Sequence, residues 1–300
     1  MALDFSDKVA VITGAGNGLG RSHALLLGSL GARVVVNDLG GSGSGEGRDS
    51  SVADSVVEQI TSAGGEAVAN GDSVTEGDRI VQCALDTFGR IDIVVNNAGI
   101  LRDKSFHKMT DEDWDLVYNV HLKGAYKVSR AAFPHMREQG SGRFVMTTSA
   151  AGIYGNFGQA NYSACKLALH GLSQTLAIEG RSKGIASNTI APIAASRLMG
   201  TVMDEKAMAL LRPEVVSPLV AWLCHDSCDA TGGLFEVGAG WIGRVRWERS
   251  QGAYFPPTGF SPDDVQAAWE KINDFSDASH PTSTADTMRA IFGNPHLPRE

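Results

Sequence analysis

Tyr162 and Lys166 stand four residues apart in the run Tyr162-Ser163-Ala164-Cys165-Lys166, and Ser149 precedes the tyrosine by thirteen residues. On a helix the two side chains share a face, one above the other. A lysine ammonium beside a phenol favours the phenolate, which predicts a Tyr162 pKa below its ordinary value of about 10. A phenol tuned in this way exchanges a proton near neutral pH. The Ser149 hydroxyl can hydrogen-bond the same substrate oxygen. These three groups suit the interconversion of an alcohol and a ketone, provided that a hydride carrier is held beside them. A Tyr-x-x-x-Lys pair is also an ordinary feature of helices, so its meaning depends on the rest of the chain.

A place for such a carrier is written near the start. Thr13-Gly14-Ala15-Gly16-Asn17-Gly18-Leu19-Gly20 follows an apolar run and opens an amphipathic one. Glycines there allow a tight turn and let backbone N–H groups approach a pyrophosphate at the positive end of a helix. Asp38 ends the next apolar run, in VVVND. A carboxylate at that point can bond both hydroxyls of an adenosine ribose and repels a 2′-phosphate, which selects NAD over NADP. Read without that context, Asp38 is a solvated turn residue. Asp72, Ser73 and Val74 follow a third run and are placed to wrap the adenine. Asn96, Asn97, Ala98 and Gly99 follow a fourth; the small residues let backbone lie against a cofactor. The two asparagine amides can equally serve as structural ties between strands.

The elements that must position these residues alternate in type. Strands are expected at 8–13, 33–37, 67–70, 91–96, 143–147, 187–190 and 233–237. Helices are expected at 21–30, 51–63, 78–88, 111–132 and 161–179. Near-continuous Val and Ile strands imply burial on both faces, hence a parallel sheet between helices. The fold class is therefore α/β, a Rossmann-type doubly wound parallel sheet of about seven strands. Residues 40–47 (GGSGSGEG) have linker composition, but the strand–helix rhythm continues through them, so they read as a flexible loop within one domain. That catalytic, dinucleotide-binding domain is assigned to 1–240. Residues 241–300, with one helix expected at 262–275, read as an extension that packs on the domain or on a partner subunit.

The net charge of −8 and the lack of a dominant basic patch argue against nucleic acid as a partner. Cys83, Cys165, Cys224 and Cys228 lack zinc-like spacing, so no metal is expected. The apolar runs are too short for membrane insertion, and no secretory signal opens the chain. The last residues, Leu297-Pro298-Arg299-Glu300, do not form a peroxisomal address. A reduced, soluble compartment is the expectation.

TGAGNGLG, NNAG, Ser149 and YSACK occur in the order and at the spacings of the short-chain dehydrogenase/reductase family, which the chain resembles over 5–240. The resemblance implies a Rossmann fold, NAD(P)-dependent hydride transfer and a homodimer or homotetramer. The stretches VVVNDLGG, VNNAGILRD, AGIYGNFGQANYS, LAIEGR and GGLFEVGAGWIGRVRWER are similar to the dehydrogenase part of the type 2 peroxisomal multifunctional enzymes. That narrower resemblance implies oxidation of (3R)-3-hydroxyacyl-CoA to 3-ketoacyl-CoA in fatty-acid or sterol side-chain β-oxidation. A 17β-hydroxysteroid dehydrogenase is the alternative, and a non-catalytic dinucleotide-binding scaffold is a third reading. The hydratase and sterol-carrier parts of those longer proteins are absent from this chain. It is expected to be a cytoplasmic, bacterial-type enzyme that could work with a hydratase partner, or peroxisomal if it is a piece of a longer chain.

Carried over residue by residue, the resemblance makes Tyr162 the general base, Lys166 its partner and a ligand of the nicotinamide ribose, and Ser149 the donor that orients the substrate oxygen. Gly14, Asn17, Gly18, Leu19, Asp38, Asp72, Val74 and Asn97 would bind NAD. Pro192 to Ser196 (PIAAS) stands where the family has Pro-Gly-x-x-Thr, so Ile193 backbone and the Ser196 hydroxyl would hold the carboxamide. The family asparagine that completes a proton relay is replaced by His121, in Val120-His121-Leu122-Lys123-Gly124. A histidine can also relay a proton. Arg102, Lys104 and Lys108 are candidates for the phosphates of an acyl-CoA. Arg244, Arg246 and Arg249 read as packing or intersubunit charges.

Overall fold

The computed structural model describes residues 3–194 and 210–297. Val9–Thr13 forms β1, all five residues buried. It is followed by α1 (Gly18–Ser29), β2 (Arg33–Asn37), α2 (Ser51–Ser62), β3 (Glu66–Asn70), α3 (Gly77–Phe88) and β4 (Ile93–Asn96). Then come α4 (Asp111–Tyr118), α5 (Gly124–Gln139), β5 (Gly142–Thr147), α6 (Ala150–Tyr154), α7 (Ala160–Gly180) and β6 (Ile185–Pro192). We label Ser217–Cys224 α8; β7 (Leu234–Gly238) and β8 (Trp241–Val245) follow it. The sheet order is β3-β2-β1-β4-β5-β6-β7-β8, and the pairs from β3 to β7 are parallel. Chain order reverses between β1 and β4, the switch point where open α/β sheets leave a crevice at their carboxyl ends.

Alternation along the strands builds a core on each face. Ala10, Ile12, Val34 and Val36 pack with Leu27, Ile60, Val220 and Leu223 on one side. Val9, Val11 and Val35 pack with Ile80, Val128, Phe144 and Leu169 on the other. Burial on both faces is what made these strands continuous apolar runs.

The eighth strand lies beyond the seven expected. Ala239 and Gly240 both have positive φ, 49° and 81°, the backbone of a tight two-residue reversal. Trp241–Val245 is mostly exposed, so it lacks the continuous apolar signal of the inner strands. The helix expected at 111–132 is broken. After α4 the chain makes a π-helical turn, Asn119–Lys123, before α5 resumes. Such insertions concentrate at functional sites, and this one carries His121.

Contacts divide the chain into two compact units, one ending at Arg244 and one beginning at Val245. The second holds α9 (Pro262–Ala267), α10 (Trp269–Ile272) and α11 (Thr284–Phe292). Capping boxes at Ser261/Asp264 and Ser283/Asp286 start α9 and α11. The helix expected at 262–275 is thus interrupted near Ala268, and α11 is an addition. Among the described residues no helix is long and apolar enough to cross a membrane.

Candidate active site

The carboxyl ends of β1, β2 and β4 form a cradle made largely of backbone. Gly14 has φ +63°, and a Cβ there would lie 2.8 Å from Ala98 Cα. A Cβ at Gly20 would lie 2.1 Å from the Gly14 carbonyl oxygen. Only glycine lets the turn close this tightly against α1 and the segment after β4. The Asn97 amide donates to the carbonyls of Thr13 (3.1 Å) and Gly14 (3.2 Å). The Thr13 hydroxyl accepts from the backbone N–H of Asn97 and Ala98. Asn97 and Ala98 thus pack against the glycine turn, and the Asn97 side chain holds that turn in place.

The Asp38 carboxylate accepts from Gly16 N at 2.8 Å and from Gly40 N at 2.7 Å. Both oxygens are fixed, and each keeps a lone pair for a further donor. The first turn of α1, with Gly18 and Leu19, carries no acidic residue, and the Asn17 side chain makes no cap bond. Its first N–H groups have no partner among the described residues and suit an anion. A Cβ at Gly18 would meet nothing within 4 Å among the described residues. These residues fit a nicotinamide dinucleotide: a positive helix end for the pyrophosphate and a fixed carboxylate for the ribose.

Past β3, Asp72 turns its carboxylate toward Arg79 at 3.2 Å and accepts from the Asn70 amide at 2.9 Å. Ser73 caps a short 3-10 turn, and Val74 is buried against Gly124. What these residues offer a ligand is mainly their backbone. On the far side, Pro192 ends β6 and Ile193 N donates to the Val237 carbonyl at 2.8 Å, so this N–H is already engaged. Ser196 lies outside the described residues.

The second half of the site is built from side chains. Ser149 follows β5 and caps α6, its hydroxyl accepting from Ala151 N at 3.2 Å. Tyr162 lies in the first turn of α7. Lys166, one turn on, is 3% exposed, and its Nζ donates to the Thr147 carbonyl at 2.6 Å. The same Nζ lies 5.4 Å from the centre of the Tyr162 ring. The Thr148 hydroxyl donates to the Lys166 carbonyl, tying β5 to α7.

The lowered tyrosine pKa expected from spacing is not what the packing produces. Burial pushes the Tyr162 phenol above its usual value; the Ser149 hydroxyl opposes this, and the Asp103 carboxylate adds to it. Burial also brings Lys166 down to about 8. The four-residue spacing places the ammonium beside the ring face while its proton goes to Thr147, so desolvation outweighs the attraction of the pair.

His121 joins this cluster. Its ring packs edge-on to Tyr162 with centroids 5.2 Å apart. Nε2 lies 2.9 Å from Ile100 N and 2.8 Å from Ile100 O, so either tautomer finds one backbone partner. Nδ1 is buried and has no partner among the described residues. Burial lowers its pKa to about 3, with Lys166 adding to the effect, so the ring is neutral at physiological pH. A Cβ at Gly99 would lie 2.5 Å from His121 Cε1, so the glycine makes room for the imidazole.

One residue of this cluster escaped sequence reasoning. Asn161 is fully buried; its amide donates to the carbonyls of Arg102 and Asp113, and its Oδ1 accepts from Tyr162 N at 2.8 Å. It seats the tyrosine. The two carbonyls it holds are distant in sequence, so no local signal marked it. Arg102 and Lys104, expected as phosphate ligands, each have an acidic partner. Lys104 pairs with Asp113 at 3.0 Å, and Arg102 pairs with Glu46 at 3.0 Å. Lys104 is thus held by a buried acid and Arg102 by an exposed one.

Comparison with known proteins agrees with this geometry. The family model for short chain dehydrogenase matches residues 8–207. Peroxisomal multifunctional enzyme A of Dictyostelium discoideum is 57% identical over 292 residues, covering 97% of this chain and 66% of that protein. The solved full-length peroxisomal multifunctional enzyme type 2 from Drosophila melanogaster superposes with a TM-score of 0.84 at 39% identity, covering 97% of this chain and 50% of that one. The chain thus spans two-thirds or less of these longer relatives. A 7α-hydroxysteroid dehydrogenase solved with NADH and 7-oxo glycochenodeoxycholic acid gives a TM-score of 0.70 at 26% identity, over 79% of this chain and 95% of that one. With its serine, tyrosine and lysine beside a dinucleotide cradle, the chain belongs to the short-chain dehydrogenase family.

Proposed function

We propose that this chain oxidises (3R)-3-hydroxyacyl-CoA to 3-ketoacyl-CoA with NAD. The observation that carries the reading is the cluster of Ser149, Tyr162 and Lys166 at the strand ends, beside a cradle whose ribose acid, Asp38, is fixed by two backbone N–H groups. The 57% identity to a peroxisomal multifunctional enzyme supports the substrate class. Gly14, Asn17, Gly18, Leu19, Asp38 and the backbone near Asp72 to Val74 and Asn97 to Gly99 would hold the dinucleotide. When bound, it supplies the acceptor for the hydride that leaves the carbon bearing the hydroxyl.

The chain's own residues handle the proton. The Ser149 hydroxyl donates to the substrate oxygen and fixes its position. The Tyr162 phenolate takes the hydroxyl proton. Lys166 is buried and hydrogen-bonded to Thr147, so it is rigid, and its ammonium offsets the negative charge of the phenolate. His121 offers Nδ1, a neutral hydrogen-bond partner, to the water that carries the proton away. A hydratase acting on an enoyl thioester is the class of partner that would supply the substrate.

A 17β-hydroxysteroid is the second substrate class, favoured by the likeness to a dehydrogenase solved with a steroid. The deciding experiment follows NADH absorbance with (3R)- and (3S)-hydroxyacyl-CoA and a 17β-hydroxysteroid, with NAD and with NADP. The proposal expects turnover of the (3R) thioester with NAD. Turnover of the steroid alone, or of the (3S) epimer alone, overturns it. No reduction of NAD with any alcohol would leave only a dinucleotide-binding scaffold.

A further inference from the structure

Residues 40–47 have the composition of a linker, yet they form a closed and anchored loop. Ser42 N donates to Glu46 O at 2.7 Å, and Gly45 N donates to Ser42 O at 2.9 Å. The outer side is tied to the segment after β4. Leu101 N donates to Gly43 O at 2.9 Å, and Arg102 Nε donates to Ser44 O at 2.7 Å. The Arg102 fork also reaches Glu46 at 3.0 Å and faces Asp113 at 3.9 Å. A Cβ at Gly45 would lie 3.1 Å from Ile100 Cδ1 and 3.3 Å from Leu116 Cδ2, so the loop sits directly on that surface.

The root of this loop is Asp38. Gly40 N donates to the Asp38 carboxylate, and Asp49 N donates to Leu39 O, closing the base. A glycine-rich loop loses much conformational entropy when ordered, so its outside anchors decide whether it is ordered before a ligand arrives. One guanidinium supplies two of those anchors, with the planar fork that arginine alone provides. The Arg102 carbonyl meanwhile accepts from the Asn161 amide, which seats Tyr162.

We propose that Arg102 is a positioning residue for the cofactor: by holding the loop of residues 40–47, it fixes the Gly40 N–H and thereby orients the Asp38 carboxylate toward the ribose. The inference rests on the reading of Asp38 as the ribose acid of an NAD site. Its side chain serves the cofactor, while its backbone serves the tyrosine, so substitution of the side chain should separate the two effects.

The test is calorimetric titration of the full chain with NAD, together with kcat at saturating NAD. Arg102→Ala should weaken NAD binding about tenfold, the worth of one charge-assisted hydrogen bond, and leave kcat at saturation unchanged. Arg102→Lys, which keeps the charge but loses the fork, should fall between wild type and Arg102→Ala; it also serves if Arg102→Ala fails to fold. In an Asp38→Ala background the Arg102 substitution should have no further effect on NAD affinity, because the two act through one contact. Unchanged affinity in a folded Arg102→Ala variant, or an undiminished loss in the Asp38→Ala background, overturns the inference. If wild type itself binds no NAD, the reading of the site fails first.

Discussion

At the ends of β1 and β2 the site is built from backbone: a turn only glycine can make, an uncapped helix end, and an acid held by two main-chain N–H groups. At the ends of β4 and β5 it is built from buried side chains: a lysine bonded to a carbonyl, a neutral histidine and a tyrosine seated by an asparagine. The first construction binds through shape and partial charge and has little to titrate. The second gains its chemistry from burial, which displaces every pKa in it. Damage to the first should therefore appear as affinity or folding, and damage to the second as rate and pH dependence.

The sharpest test of that division is Tyr162→Phe. Loss of a positioned acid–base group costs roughly 10²- to 10⁴-fold in rate. NAD binding should stay at the wild-type level, measured by calorimetry. In wild type, the oxidation rate should rise with pH above neutrality, because burial sets the phenol high and the reaction needs the phenolate. The variant should lose that dependence. Near-normal turnover by Tyr162→Phe would end the assignment.

Gly20→Ala attacks the other half. The new methyl would meet the Gly14 carbonyl oxygen at 2.1 Å, and neither backbone has room to withdraw. Overpacking of this kind costs about 1–3 kcal/mol. Denaturant titration should show the loss, and NAD affinity should fall with it. An unperturbed melting curve would show that the turn is looser than its packing implies.

Acid should weaken the fold, because His23, His121 and His170 are all buried. His23 lies in α1, its Nδ1 2.8 Å from the Ser217 hydroxyl, and burial lowers its pKa to about 3, as it does for His121. The folded chain keeps both rings neutral, while the unfolded chain protonates them below 6.5. Between those values the unfolded state binds more protons, so stability falls as pH falls. From pH 6.5 to about 4.5 the loss is roughly 2–3 kcal/mol for each of these two histidines. His121→Asn should remove one histidine's share of the pH slope in denaturant titrations and leave the share of His23 and His170. An unchanged slope would place the sensitivity elsewhere.

The same contrast explains what could be read before any coordinates. Runs such as VAVIT and RVVVN are buried on both faces, so composition alone marks them, and the glycine turn follows from the order of its residues. Trp241–Val245 is an exposed edge strand, which leaves no such mark. Periodicity could not reveal the π turn at Asn119–Lys123, because one inserted residue barely disturbs the pattern over two helices. Tyr162, Lys166 and Ser149 were legible as types at a spacing, but the direction of the tyrosine pKa was not. That direction depends on burial and on where the Lys166 protons go, both tertiary facts. Asn161 was illegible for the same reason: its partners, the carbonyls of Arg102 and Asp113, come from the chain after β4 and from α4.

The smallest effect belongs to Asp38→Asn, and it asks whether the two halves are independent. The carboxylate accepts from Gly16 N and Gly40 N at once. An amide offers one oxygen and turns an N–H group toward the other donor, so one anchor is lost and a repulsion is added. NAD affinity should fall about tenfold, close to the worth of one hydrogen bond to a charged group. NADP should be repelled less, because the negative charge facing its 2′-phosphate is gone, so the preference narrows from both sides. Calorimetry with each dinucleotide reads both changes. At saturating NAD, kcat should match wild type, since Tyr162 is seated by Asn161 through contacts that do not include Asp38. A fall in kcat at saturation would mean that the loop of residues 40–47 transmits the change through Leu101 and Arg102 to the tyrosine, and the backbone-built and side-chain-built halves would then be one device.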